Sequence, residues 1–414
     1  MIKKYFFVVF FLMPIITFAS DNTSFMIGNK SYDNLNDAIL NLSENETIKM
    51  YSDAVLNDSI KIDKQVNINL NGNEISAPSS SFFVEGGTLN ITGKGLIKEL
   101  KPNYGAIRVM GKNSDTDSNY SVVNIGKDVT LQGWSGIFVT HTNNKSHGVS
   151  VKIDGTIKAI SDINGDTGIG VYINGNIKHE ESHPKIEITD NAKIYSNGTG
   201  IYIAGYSTLN IKNAYIEGEE SGLSIKSGKL NINGATVVCT GEDTTPTEGY
   251  NNGVKSSGTS IQIESNEGYA GNMEINIQKG KFVSKNSSVI YEYIGKGSTT
   301  QVKSINIEGG TFISEVDKKV FLLSNDLKST HPSFISGGVY SSNPNDYLKP
   351  GYTSTLENEK YNVSKSAMAV FGEKIDNSNS FSNVIIILVL ITIAVITFIN
   401  KNKIIKCFKN NFSR

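Results

Sequence analysis

Cysteine is almost absent from this chain of 414 residues, Cys239 and Cys407 being the two examples. Neither falls near the start, which excludes a lipoprotein anchor on an N-terminal cysteine. Two thiols cannot make a disulfide framework. These two fall on opposite sides of the apolar segment described next, so no intrachain disulfide is expected. Arginine is also scarce. Arg108 and Arg414 stand beside 37 lysines. Clustered basic residues are missing from the body of the chain, and phosphate binding needs such clusters, so nucleic acid is disfavoured and not expected as a partner.

Charge is absent altogether from Phe381 to Ile399, a run of 19 residues rich in Ile, Val and Leu. At 1.5 Å per residue a helix of that length spans roughly 28 Å, close to the hydrocarbon thickness of a bilayer. Lys401, Lys403, Lys406, Lys409 and Arg414 follow, with no acidic residue among them. The positive-inside rule puts this tail in the cytoplasm and everything upstream outside. The other end agrees. Lys3 and Lys4, the apolar run Tyr5 to Phe18 and the small residues around Ala19 make a secretory signal, with cleavage expected after Ala19. Without Lys3, Lys4 and the five tail cations, 32 of the 39 basic residues face 40 acidic ones, so the exported body carries −8. The expected location is the cell membrane, single-pass, with the body outside.

What the chain does contain is one short motif many times over: an apolar residue, usually an asparagine, and a second apolar residue. It occurs as Val66-Asn67-Ile68, Leu89-Asn90-Ile91, Val123-Asn124-Ile125, Val151-Lys152-Ile153, Ile186-Glu187-Ile188, Leu209-Asn210-Ile211, Leu230-Asn231-Ile232, Ile275-Asn276-Ile277 and Ile305-Asn306-Ile307. Counted from the second apolar residue, the gaps are 23, 34, 28, 35, 23, 21, 45 and 30 residues. A fixed motif at short, uneven intervals marks a solenoid whose coils tolerate loops of different length.

The stretch from Ile186 to Ile203 shows what one coil contains. Ile186 and Ile188 alternate around Glu187, and Asp190-Asn191 turn the chain. Ala192 and Ile194 alternate around Lys193, Asn197-Gly198 turn it again, and Gly200-Ile201-Tyr202-Ile203 makes a third run. Period-two spacing broken by Asn and Gly reads as short strands joined by tight turns. Such strands must stack in parallel, coil on coil, to bury their inward residues. The third run recurs as Gly105-Ala106-Ile107-Arg108-Val109, Gly136-Ile137-Phe138-Val139, Gly170-Val171-Tyr172-Ile173 and Gly222-Leu223-Ser224-Ile225. Each opens on a glycine suited to a turn at positive φ. About nine or ten rungs at ~4.8 Å make a rod of roughly 45 Å. Outside it, Asn67/Asn90/Asn124 and Asn210/Asn231/Asn276/Asn306 are expected to stack as amide ladders.

Open rod ends need covering. Leu35, Ala38, Ile39 and Leu42 fall at helical spacing behind Asp33, a candidate N-cap, and this helix closes the first coil. Tyr352 to Val363 alternates around Glu357-Asn358-Glu359-Lys360 as a closing hairpin, and Ser364 to Ser380 is a polar tether. With these parts in place, the chain resembles right-handed parallel β-helix proteins of the pectate-lyase-like kind. It resembles more closely the adhesin-like surface proteins of Gram-positive bacteria and some archaea. The stretch Tyr32 to Asn73, ending in Ile68-Asn69-Leu70-Asn71-Gly72-Asn73, is similar to their common opening. The stretch from Ile335-Ser336-Gly337-Gly338 through Tyr347, Gly351 and Tyr352 is similar to their common ending. The resemblance covers about residues 25–363 and implies a fold far more than an activity. No LPxTG-type sorting motif precedes the apolar segment, so membrane anchoring replaces covalent wall attachment. The expected fold class is all-β: a single-stranded right-handed parallel β-helix solenoid with an N-terminal capping helix and a C-terminal transmembrane helix. Its expected parts are a signal peptide at 1–19, an N-terminal cap at 20–65, the parallel β-helix at 66–345 and a cap hairpin at 346–363. A linker at 364–380, the transmembrane helix at 381–399 and a basic cytoplasmic tail at 400–414 complete it.

Signals for catalysis are weak. His179-Glu180-Glu181-Ser182-His183 matches HExxH, but zinc chemistry needs that motif on a helix. Here it lies between Ile173-Asn174-Gly175 and the Ile186 strand, with Pro184 after it, and reads as an exposed polar loop. Asp162-Ile163-Asn164-Gly165-Asp166, near Asp154, is part of a calcium-loop pattern whose closing glutamate is replaced by Ile173, so it reads as a solvated turn. No cofactor, metal set or catalytic pair is expected.

The candidate binding residues are Arg108, Phe138, Tyr172 and Tyr202, which occupy the outward position of the third strand on successive coils. Three aromatics one rung apart would form a ladder suited to sugar rings or a partner surface. Alternatively a long loop, such as 143–148 or 174–184, covers the ladder, and ring stacking stabilises the sheet without any ligand. The expected role is a membrane-anchored surface protein, an adhesin or envelope protein binding glycans or partner surfaces along its side. The reading from a different class is a membrane-anchored polysaccharide lyase or glycoside hydrolase, for which three or more carboxylates and a cation should gather in an open groove.

Overall fold

The computed structural model describes residues 24–101, 104–114, 119–161, 166–244, 256–265, 267–295 and 297–370. The expected signal peptide, transmembrane helix and cytoplasmic tail, with Cys407, lie outside the described residues. Among the described residues no helix is long and apolar enough to cross a membrane.

The chain is predominantly β, and its strands stack in parallel into large sheets. Parallel pairing begins at Ile48–Met50, where Ile48 lies opposite Ile68. From there the triplets lie directly upon one another. Ile68 faces Ile91, then Ile125, Ile153, Ile188, Ile211, Ile232, Ile277 and Ile307 in succession. Each uneven interval in the sequence therefore separates two directly paired strands, and loops absorb the difference. Every aliphatic residue flanking a triplet's centre is buried. Burying one Val, Leu or Ile contributes about 1.5–3 kcal/mol, so the repeat is a core repeated along an axis.

A second column of strands runs through Glu74–Ala77, Gly95–Glu99, Val129–Gly133, Thr156–Ala159, Lys193–Ser196 and Tyr215–Gly218, again in parallel register. It joins the first column as one 23-stranded sheet because Gly228–Cys239 and Met273–Ser284 run through both. The register slips around Asn233 and Ala235, and the residue between them, Gly234, takes φ +103, which a bulge there requires. The third column is a separate ten-stranded sheet, from Ile60–Ile62 to Phe321–Leu322, in which all neighbours are parallel.

The amide ladders form. Asn90 donates to Asn67 Oδ1 at 2.7 Å and Asn124 to Asn90 Oδ1 at 2.7 Å, while Asn231 donates to Asn210 at 2.9 Å and Asn276 to Asn231 at 3.0 Å. Lys152 and Glu187 separate the two ladders at the same position. Asn306, expected as the last member of the second ladder, does not join it and accepts from Lys349 Nζ instead.

Two expectations need correcting, and one element was not foreseen. The helix Leu35–Leu40 is capped by Asn34, whose side chain accepts from the Asp37 amide at 2.8 Å, and Asp33 lies outside it. Phe25–Ile27 and Lys30–Tyr32 form an antiparallel hairpin that no periodicity announced, and Phe25–Ile27 extends the sheet beyond Ile48–Met50. The glycines that open the third strand are there for another reason. Gly105 has φ +138, but Gly136, Gly170 and Gly222 are not at positive φ. A Cβ on Gly170 would meet the Gly200 carbonyl and Ile194, each at 2.3 Å, and one on Gly222 would meet Val237 at 2.5 Å. Close approach of rung to rung and of wall to core selects glycine there. The closing hairpin is as expected: Tyr352–Glu357 pairs with Lys360–Lys365 around Asn358 and Glu359, both at positive φ. Cys239 is a free, buried thiol, which burial pushes up to about 12.

Replacing Asn90 with alanine removes the bonds to both neighbouring rungs, and the expected cost is about 1–2 kcal/mol. Lys152→Ala, at the same position without a ladder, should change stability by under about 0.5 kcal/mol. Equal losses in chemical denaturation of the two variants would show that the amide ladder contributes nothing.

Candidate functional site

The ten-stranded sheet alternates inward aliphatics with outward residues, so one outward line runs along it. Its register places Lys61, Phe83, Arg108, Phe138, Tyr172 and Tyr202 opposite one another on successive rungs. The rings of Phe138 and Tyr172 stack with centroids 4.9 Å apart and planes 5° from parallel. Tyr172 and Tyr202 follow at 5.1 Å and 14°. The four residues singled out from sequence are therefore brought into one line.

Their exposure differs from that of an open stacking platform. Tyr202 is 1% exposed and Phe138 8%, while Tyr172 is half-buried. The protein's own rings take the place of a ligand. Trp134 packs 6.2 Å from Phe138 and 5.4 Å from Tyr172, and Tyr104 meets Phe138 edge-on at 5.9 Å. The Tyr269 hydroxyl lies 3.0 Å from that of Tyr202. The Tyr269 ring rests on Gly175, where a Cβ would come within 2.0 Å of it.

One carboxylate sets this cover. Glu99, buried at the end of its strand, accepts from the backbone N–H of Tyr104 at 2.9 Å and from that of Trp134 at 3.0 Å. Both covering residues thus enter the line with their backbones fixed by the same side chain, across 35 residues of sequence in the case of Trp134. Burial pushes the Tyr172 hydroxyl up to about 12, with Tyr269 adding to it, and burial also raises the Tyr202 hydroxyl well above the ordinary phenol range. Burial, then the charges of Arg108 and Lys178, hold His141 below the usual imidazole range.

The accessible part of the line is its early end. The Arg108 guanidinium lies 5.0 Å from the Phe83 ring and 5.3 Å from the Tyr104 ring, a cation held between two π faces. Its Nε is buried and makes no hydrogen bond. Phe83, Arg108 and Trp134 are half-buried and Tyr104 is exposed. Phe83, Tyr104, Trp134 and Tyr269 were not expected from the sequence. Phe83 had a signal, since it sits between inward Phe82 and Val84 one rung before Arg108. Tyr104 and Tyr269 belong to loops, where no period exists to place them.

The HExxH motif is not assembled as a metal site among the described residues. The HExxH segment is a turn, in which Ser182 N–H donates to the His179 carbonyl at 2.9 Å, and Glu181 pairs with Lys145 at 2.9 Å. Asp154 ties two rungs together by accepting from Thr189 at 2.6 Å and from Asn191. Burial works to raise its carboxyl, but the bonds from Thr189 and Asn191 prevail and hold it below the ordinary range. Residues 162–165 lie outside the described residues. Among the described residues no three His, Cys, Asp or Glu side chains are placed to hold a metal. One open hollow of about 460 Å³ on the second column brings Asp53, Glu74 and Asp128 near Lys94 and Lys158, although Asp53 already accepts from the Glu74 amide at 2.7 Å.

Comparison of the chain with known protein families, curated proteins and solved structures finds no match.

The raised Tyr172 hydroxyl has a direction in pH. A phenol whose folded value lies above its unfolded value of ~10 contributes full stability below that pH and loses it as pH climbs toward the folded value. Tyr172→Phe should therefore lose less stability than the parent between pH ~9 and ~11.5, by on the order of 2 kcal/mol in denaturation experiments. Identical alkaline losses would contradict the enclosure of this ring.

Proposed function

We propose that this chain is an exported, membrane-anchored rod, a single-stranded right-handed parallel β-helix acting as a non-enzymatic adhesin or envelope protein. Its ligand is a glycan or glycosylated surface, and the contact is the early end of the outward line. There Phe83, Tyr104 and Trp134 offer apolar ring faces, and Arg108 offers guanidinium donors. The observation that carries this reading is the state of Arg108: half-buried between two aromatic rings, with its Nε unbonded. Sugar rings present apolar C–H faces to aromatics and hydroxyls or carboxylates to a guanidinium, so one such site can hold both parts of a saccharide. Phe138, Tyr172 and Tyr202, whose ring faces are used on one another, stiffen it from behind.

A second reading rests on the hollow lined by Asp53, Glu74, Asp128, Lys94 and Lys158. Three carboxylates and two cations in an open groove are the ingredients of a polysaccharide lyase or hydrolase. Against it stand the commitment of Asp53 to a backbone amide and the lack of a metal cluster among the described residues.

One experiment separates the two. The purified full chain is incubated with a panel of neutral and acidic polysaccharides, and both retention and product release are measured. Retention without release is expected, and Arg108→Gln should weaken it by about 10–100-fold, the equivalent of one charge-assisted contact. Release of reducing ends or unsaturated uronates overturns the binding reading, and its loss in Asp128→Asn would assign it to the hollow.

A further inference from the structure

Beyond Tyr202 the outward line changes character. Its next members are Ser224 and Gln262, directly opposite one another on adjacent rungs. Two residues further along the same strands, Lys226 and Glu264 form an ion pair with Nζ 2.9 Å from Oε1. The other oxygen of Glu264 accepts from Gln262 Nε2 at 2.8 Å. Ser224, Lys226, Gln262 and Glu264 are all 0% exposed. The Lys226 ammonium sits 5.5 Å from the ring centres of both Tyr202 and Tyr269. A single carboxylate therefore bridges an amine and a carboxamide in a pocket that is walled by aromatics and closed to bulk water.

Such a pair is costly to maintain as ions, because two charges have left water and the Coulomb gain offsets this only with good geometry. A reaction that removes both charges together relieves that cost. We propose that Lys226 and Gln262 form an intramolecular isopeptide bond, with Glu264 as the proton carrier. Glu264 takes one proton from the Lys226 ammonium, and the neutral Nζ adds to Cδ of Gln262, sending the carbonyl electron pair onto Oε1. Glu264 then gives its proton to Nε2 as the Cδ–Nε2 bond breaks, and takes the proton that Nζ sheds on becoming an amide nitrogen. Ammonia leaves uncharged. Glu264 ends protonated, and the ammonium and carboxylate are replaced by two neutral groups. No oxidant, metal or cofactor enters the balance.

Two further observations fit this chemistry. Gln262 Oε1 and Ser224 Oγ are both buried and both lack a hydrogen-bond partner. Gln262 Oε1 is the atom that gains charge during addition, and Ser224, directly opposite on the adjacent rung, carries a hydroxyl that no other group uses, although the two are not bonded to each other before reaction. Both reactants are held on one carboxylate, and groups so confined react as if at very high local concentration. The product is a covalent staple between adjacent rungs in a body whose one described cysteine is free. This inference is independent of the ligand proposed above.

The test is a peptide map of the purified full chain by mass spectrometry. The expected result is one branched species containing Lys226 and Gln262, lighter than the sum of its two peptides by one ammonia, with trypsin unable to cleave after Lys226. Separate peptides carrying unmodified Lys226 and Gln262 overturn the proposal. So does a branched species lighter by one water, which would place the bond on Glu264. Glu264→Gln should abolish the link while leaving both reactants in place, with circular dichroism reporting that the fold persists. A link formed in a folded Glu264→Gln protein would remove Glu264 from its assigned role. The map of the unsubstituted chain decides the existence of the bond whether or not any variant folds.

Discussion

A parallel strand of four or five residues has nothing to pair with inside its own coil, so its amides and carbonyls are satisfied only by the coils before and after it. That dependence on the neighbouring rung governs this molecule. The same register that satisfies the backbone aligns Ile68, Ile91, Ile125 and their successors into one interior, and neither gain is available without the other. Loops of very different length are tolerated because closing a longer loop costs only slowly more, while slipping a strand by one residue turns its whole apolar set outward. The two ends are where the rule fails. There the chain changes pairing to antiparallel, with hairpins laid on Ile48–Met50 and Gly338–Tyr340.

Once register is fixed, every side chain has an equivalent one rung away, and like meets like. Asparagine gains from this, because an amide both donates and accepts and can repeat along a line without leaving either group unpaired. Glycine gains because adjacent rungs approach too closely for a Cβ at Gly170 or Gly222. Aromatic rings gain by stacking, as Phe138, Tyr172 and Tyr202 do. Charge does not, because like charges one rung apart repel. Where charged residues enter the asparagine line, Lys152 is followed by Glu187.

The interior was legible from sequence because its period is two and its motif repeats, so the inward residues of each triplet could be named, and their spacing gives the coils directly. The asparagine lines were legible for the same reason. The outward line of the third column could be read as far as its membership, Arg108, Phe138, Tyr172 and Tyr202, because alternation fixes which residues face out. Whether an outward residue meets water is another matter, decided by loops. Tyr104 and Tyr269 come from such loops, and Trp134 is positioned by a hydrogen bond to Glu99 from a strand one coil earlier. No local pattern encodes those contacts. The glycine frame was seen but its cause was not, since a clash with the next rung is a tertiary fact while positive φ is a local one. The N-terminal hairpin was missed because strands of three residues are too short to show a period.

The outer wall of the third column consequently behaves as a second interior along part of its length. From Phe138 to Tyr202 rings enclose rings, and from Ser224 to Glu264 polar groups are enclosed as completely. An enclosed aromatic stack is at rest, with its contacts made and its faces used. An enclosed amine, carboxylate and carboxamide are not, since each retains a reactivity that water would otherwise compete for. Toward Phe83 and Arg108 the cover thins, and a cation–π site is left at the boundary between the enclosed and the open line. Under the two proposals made above, one row of equivalent positions passes from recognition, through support, to chemistry, and what changes along it is the degree to which loops exclude solvent. The strand register supplies the alignment throughout, and the loop lengths that the backbone tolerates so readily determine which of the three roles each rung takes.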